Sequence, residues 1–102
     1  MNSGSVDNPV EYRRRDNYVY RLTVGEHLLV SLHARKHEPL YALTPTGADL
    51  WEHLAQWSTR AQLADALVGE YEVTPDHARQ DVGEFLEQLE SLNALETREA
   101  SS

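Results

Sequence analysis

The sequence predicts an α+β fold close to a winged helix-turn-helix core, with a three-stranded antiparallel sheet followed by three helices. Three observations predict it. Period-two patterning in β-favouring residues is confined to the stretch from Tyr18 to Leu43. Three threonine signals, Thr44-Pro45, Thr59 with Gln62, and Thr74-Pro75, then open stretches whose apolar residues recur every three or four positions. A chain of 102 residues supports one hydrophobic core, so both halves must pack on each other.

Residues 1–17 are polar, without periodicity, and contain Gly4, Pro9 and the run Arg13-Arg14-Arg15, which reads as a flexible N-terminal arm. Tyr18, Tyr20, Leu22 and Val24 alternate with Val19, Arg21 and Thr23 as a first strand, and Gly25-Glu26 is read as the hairpin turn. His27 to His33 is the second strand, Ala34 to Glu38 a charged loop, and Pro39 to Leu43 a short third strand. Proline has no N–H to give to a ladder, so this third strand belongs at an open edge.

Thr44 caps the first helix, with Pro45 at its first position, and the pattern runs to about Trp57 with Gly47, Leu50, Trp51 and Leu54 on one face. Thr59 and Gln62 form a capping box for a second helix whose stripe is Leu63, Leu67, Val68 and Tyr71. The third and longest helix turns Val82, Phe85, Leu86, Leu89 and Leu92 inward. It stops at Asn93, a residue able to take the left-handed conformation that ends helices. Leu95 returns to the core, and residues 96–102 read as a disordered tail, so the expected domain spans 18–95.

Composition narrows the function classes. The absence of cysteine excludes disulfides, thiolate metal sites and cysteine nucleophiles. The formal net charge is −8, and it is uneven: residues 1–43 carry six basic and five acidic groups, residues 44–102 three basic and twelve acidic. Nonspecific attachment to nucleic acid or to an anionic membrane needs clustered positive charge and is disfavoured. No segment approaches the roughly 20 apolar residues that span a bilayer, and the first seventeen residues lack the apolar stretch of a secretory signal, so the expected location is cytoplasmic.

Candidate chemistry is sparse. His33 and His37 are four apart but on a strand and loop, where that spacing does not bring them together, and His27, His53 and His77 are scattered, so no metal is expected. Glu84, Glu87 and Glu90 lie on the solvated face of the third helix, where carboxylates are not tuned for acid–base work. No Gly-x-Ser-x-Gly or Gly-rich phosphate loop occurs, so an enzyme is not expected. In a winged helix the third helix enters DNA, yet Asp76 to Leu92 holds five carboxylates against Arg79. Arg13-Arg14-Arg15 is read as a solvated arm, and Trp51 and Trp57 as core and core-edge residues.

The order of these signals resembles the PqqD family, also called RiPP recognition elements, which bind the leader of a ribosomally made precursor peptide. The resemblance rests on Leu43-Thr44-Pro45-Thr46-Gly47-Ala48-Asp49-Leu50-Trp51 at the opening of the first helix. It continues in Thr59, Leu63, Leu67 and Tyr71 of the second helix, and in Asp81-Val82-Gly83-Glu84-Phe85-Leu86 with Leu89 in the third. Thr44 stands where asparagine is common, and Asn93-Ala94 where a glycine is usual. The resemblance implies a leader bound as an added strand between the third strand and the third helix. The peptide-binding residues expected on that basis are Leu40, Tyr41, Ala42, Leu43, Ala78, Arg79, Asp81, Val82, Phe85 and Leu86. It implies no catalytic residue, cofactor or metal. It also implies delivery of the precursor to a modifying enzyme such as a radical SAM protein, a leader peptidase or another RiPP maturase, by a monomer or weak dimer. The alternative reading is a generic protein–protein interaction or regulatory module of the same fold, pairing through its free edge.

Overall fold

The computed structural model describes residues 9–32 and 41–99. Its elements in chain order are β1 (Val10–Arg14), β2 (Tyr18–Thr23), β3 (Glu26–Ser31), β4 (Tyr41–Leu43), α1 (Pro45–His53), β5 (Ser58–Thr59), α2 (Arg60–Glu70), α3 (Pro75–Ser91) and β6 (Leu95–Glu99). The fold is α+β, with the antiparallel sheet β2-β3-β4 feeding three helices and a second antiparallel sheet, β5-β1-β6, joining the two ends.

The hairpin forms as the alternation predicts, with Tyr20 opposite Leu29 and Thr23 opposite Glu26. That register makes the turn Val24-Gly25, one residue earlier than expected, because Gly25 supplies the left-handed backbone at φ 75°. Tyr18, Tyr20, His27, Leu29, Tyr41 and Leu43 share the inner face, on which Leu29 and Leu43 are buried. The third strand is described over Tyr41–Leu43 and pairs on one side with β3, Leu28 opposite Ala42, leaving it an edge among the described residues. Pro39, Leu40 and the expected loop before them lie outside the described residues.

Each helix begins where its threonine predicts. Thr44 Oγ1 accepts from the Gly47 amide at 3.0 Å, Thr74 Oγ1 from the His77 amide at 3.2 Å, and Thr59 with Gln62 forms a complete capping box. α3 ends in a Schellman motif: Asn93 sits at φ 58°, its amide reaches the Glu90 carbonyl at 3.0 Å, and the Ala94 amide reaches that of Leu89 at 2.9 Å. The core clusters Leu50, Leu54, Leu63, Leu67, Leu86 and Leu89, all essentially inaccessible to solvent. Val68, expected in the α2 stripe, is exposed; Ala64 takes the inward place.

Three expectations need correction. α1 stops at His53 rather than near Trp57, since β1 captures its last carbonyls: the Arg14 amide bonds the Leu54 carbonyl at 2.8 Å and its guanidinium bonds the Trp51 carbonyl at 3.0 Å. Within the stretch read as a flexible arm, Val10–Arg14 is a strand; within the stretch read as a tail, Leu95–Glu99 is its antiparallel partner. Their charge is paired rather than solvated. Glu11 lies opposite Arg98 and Arg13 opposite Glu96, with ion pairs at 2.7 and 3.1 Å, and the guanidinium groups of Arg98 and Arg13 lie over the Trp57 ring at 4.2 and 4.6 Å. Tyr12, on the opposite face of β1, is buried and its hydroxyl accepts from Arg60 Nε at 3.1 Å. Trp51 is a core residue, and Trp57 is half-buried under this latch.

Candidate peptide-binding groove

The open edge of β4 is followed directly by Thr44 and the first turn of α1, and α3 lies across from both. Between them is a cleft of about 360 Å³ lined by Thr44, Thr46, Gly47 and Leu50 on one wall and by Asp81, Glu84, Phe85 and Gln88 on the other. The α3 residues fall at i, i+3, i+4 and i+7, a single stripe along the helix. Gly47 is what lets the walls approach. A Cβ there would stand 3.1 Å from the edge of the Phe85 ring, so any side chain at this position pushes into the ring. The Tyr41 hydroxyl donates to Gln88 Oε1 and ties β4 to α3 at one end of the cleft. Partial burial there raises the pKa of Tyr41 above the ordinary phenol value, which keeps it a donor.

The site residues expected from sequence fall in different places. Tyr41, Ala42 and Leu43 form the edge strand; Leu43 is buried, Tyr41 half-buried and Ala42 exposed on the outer face. Asp81 and Phe85 line the cleft. Ala78, Val82 and Leu86 do not: they are closed off in the core, because the face of α3 that they occupy is turned away from the cleft toward the helical interior. Arg79 is exposed and paired with Asp76 in the first turn, outside the lining. Leu40 lies outside the described residues. Sequence reasoning missed Glu84 and Gln88, and with them Thr44, Thr46, Gly47 and Leu50. The available signal was Phe85, which lies at the border of the inward stripe and so points to neighbours one turn away rather than to Val82 and Leu86.

The electrostatics of the cleft are one-sided. Its lining holds two carboxylates and no cation, and no lysine or arginine occurs between Arg79 and Arg98. Asp81 has a histidine neighbour, His77, at 3.4 Å, and Glu84 accepts from the Gln80 amide at 3.4 Å. Asp81 is half-buried and Glu84 exposed, and Thr44 and Thr46 stand on the opposite wall. Among the described residues no group of three or more histidine, aspartate or glutamate side chains converges as a metal site requires. His27 instead stacks on Tyr20 and shares a 2.6 Å hydrogen bond with its hydroxyl. His33 and His37 lie outside the described residues.

A larger cleft, of about 680 Å³, lies on the other side of α1 against the β2–β3 hairpin. It mixes Arg14 and Arg15 with Asp16, Asp49 and Glu52, and it does not touch the β4 edge. Its charges largely serve the fold: Arg14 lies over Trp51 with its centre 5.4 Å from the ring, and Asp49 accepts from the Tyr71 hydroxyl. Among the described residues no helix is long and apolar enough to cross a membrane.

Comparison with solved structures returns two with the same fold. One is TbiB1 in complex with the TbiA(beta) leader peptide, 24% identical, with a TM-score of 0.67 over 82% of this chain and 94% of that one. The other is a lasso peptide synthetase B1 complexed with the leader peptide, 22% identical, with a TM-score of 0.69 over 84% of this chain and 98% of that one. No curated protein matches the sequence. The family model for coenzyme PQQ synthesis protein D matches residues 26–95, from the start of β3 through α3 to the first residue of β6. With the edge strand, the cap and the whole of α3 inside that match, the chain belongs to the PqqD family.

Proposed function

We propose that this protein recognises the leader segment of a ribosomally synthesised precursor peptide and presents it to a modifying enzyme, without catalysis of its own. The observation that carries the reading is the juxtaposition of a one-sided edge strand, β4, with a cleft walled by α1 and α3. An extended peptide laid along β4 gains main-chain hydrogen bonds, which give affinity with little selection, while its alternate side chains enter the cleft, where selection arises. Family membership supports it, and so does the fold shared with two proteins solved with leader peptides. The contacts of this reading are Tyr41, Ala42 and Leu43 for the strand and Gly47, Leu50, Asp81, Glu84, Phe85 and Gln88 for the side chains.

Tethering a substrate near a distant active site raises its effective concentration and needs no chemistry on the tether. The enzyme served is a RiPP maturase such as a radical SAM protein or a leader peptidase, acting in the cytoplasm. Ordering a disordered leader costs about 2–5 kcal/mol, so strand pairing needs apolar anchoring in the cleft, and the part of the Phe85 ring left open on the cleft wall supplies it.

The test uses a synthetic leader peptide that the protein binds, N-methylated at one backbone amide at a time. In a strand only every second amide of the added segment points to β4. Strand addition therefore predicts losses of about tenfold at alternate positions and near-wild-type binding between them. Losses without a period of two would count against β4 pairing.

A further inference from the structure

The cleft also carries information about which peptides it accepts, on the assumption that leader binding along β4 is correct. Asp81 and Glu84 bracket the Phe85 side of the cleft, and no described lysine or arginine pairs with either; their polar neighbours are one histidine and one amide. Arg79, one residue beyond the preceding turn, is engaged with Asp76, and Arg60, whose Nη1 stands near Gly83, is turned to Tyr12. Neither carboxylate is matched by a described lysine or arginine, so a cation from outside can join His77 and the Gln80 amide there, beside an aromatic ring against which its aliphatic stem packs.

Spacing adds a second constraint. In a strand, side chains i and i+2 share one face and stand about 7 Å apart, and one turn of helix spans about 5.4 Å. Asp81 and Phe85 are one turn apart on α3, so an added strand running along α3 would set two neighbouring same-face residues against an acidic position and an apolar one in succession. We propose that this groove selects leaders in which a lysine or arginine and a large apolar residue stand two positions apart, the cation at Asp81 and Glu84 and the apolar side chain against the cleft side of Phe85.

A display library of random extended dodecapeptides, selected on the intact protein and on the isosteric double variant Asp81→Asn/Glu84→Gln, tests this without a known ligand. Both substitutions lie on the solvent-facing side of α3 and leave the core untouched; circular dichroism checks the fold. Wild-type protein should enrich the basic-x-apolar or apolar-x-basic pattern. A synthetic peptide of that pattern should bind the double variant about 3- to 10-fold more weakly, and raising the salt concentration should weaken wild-type binding but hardly that of the variant. Glu84→Lys should shift the selection toward peptides with glutamate or aspartate at the same place. Enrichment of purely apolar strands, equal on both proteins, would overturn the selectivity while leaving leader binding intact. Failure of wild-type protein to enrich any strand-forming peptide would overturn both.

Discussion

Gly47 and Phe85 show how much of the site is decided by single residues. A methyl at position 47 meets the Phe85 ring at 3.1 Å, and that ring lines the cleft. Gly47→Ala should therefore change stability by no more than about 1 kcal/mol, the helix-propensity gain offsetting the contact. Leader affinity should fall severalfold as the ring narrows the groove. Calorimetric unfolding and a binding titration on the same variant separate the two effects, and unchanged affinity would show that the ring is no part of the groove. A second residue-scale prediction concerns Tyr71. Its hydrogen bond to Asp49, helped by desolvation and by the charges of Asp49 and Glu70, raises its pKa above the ordinary value of 10.0. The folded state then holds the proton more tightly than the unfolded one. This stabilisation is complete below pH 10 or so and is lost as pH rises through the raised folded value. Tyr71→Phe should be less sensitive than wild type to unfolding as pH rises above about 10, as followed by circular dichroism. An identical alkaline profile would mean that the Asp49 contact has no weight.

At the scale of elements, what was legible in the sequence tracks whether an element announces itself locally. The three helix starts were legible because Thr44, Thr59 and Thr74 act within three residues of themselves. The end of α3 was legible because Asn93 takes the left-handed turn alone. The end of α1 was not, since it depends on Arg14, some 37 residues away along the chain. β1 and β6 were missed for the same reason. Glu11, Arg13, Glu96 and Arg98 look like solvated charge until the two segments lie side by side and cancel. If the β1–β6 latch is as integral as its ladder indicates, Trp57→Ala should cost about 2 kcal/mol by removing the ring that both guanidinium groups cover. Urea denaturation measures it; a loss below about 0.5 kcal/mol would reduce the latch to a surface ornament. On α3, Asp81 and Phe85 line the cleft whereas Val82 and Leu86 are core, a division the sequence does not display because periodicity alone does not say which neighbour, α2 or a ligand, covers a given stripe.

For the whole molecule, the charge arithmetic acquires a location. The net negative charge resides in residues 44–102, and part of it lines the cleft beside β4. A protein of this size has little volume for a deep catalytic pocket, but a strand edge and a shallow groove require none. The fold accordingly divides labour: β1, β5 and β6 close the chain ends, the core holds α1 against α2 and α3, and β4 is left with one ladder unmade. The most direct test of this account is an amide NMR titration of isotopically labelled protein with its leader. Binding along β4 predicts that the largest shifts at saturation fall on Tyr41–Leu43, Gly47 and the α3 stripe Asp81, Glu84, Phe85 and Gln88, with new protection from hydrogen exchange on β4. Saturated binding that leaves those amides unmoved, and instead shifts the hairpin and the Asp49–Glu52 side of α1, would place the peptide in the other cleft and contradict the account.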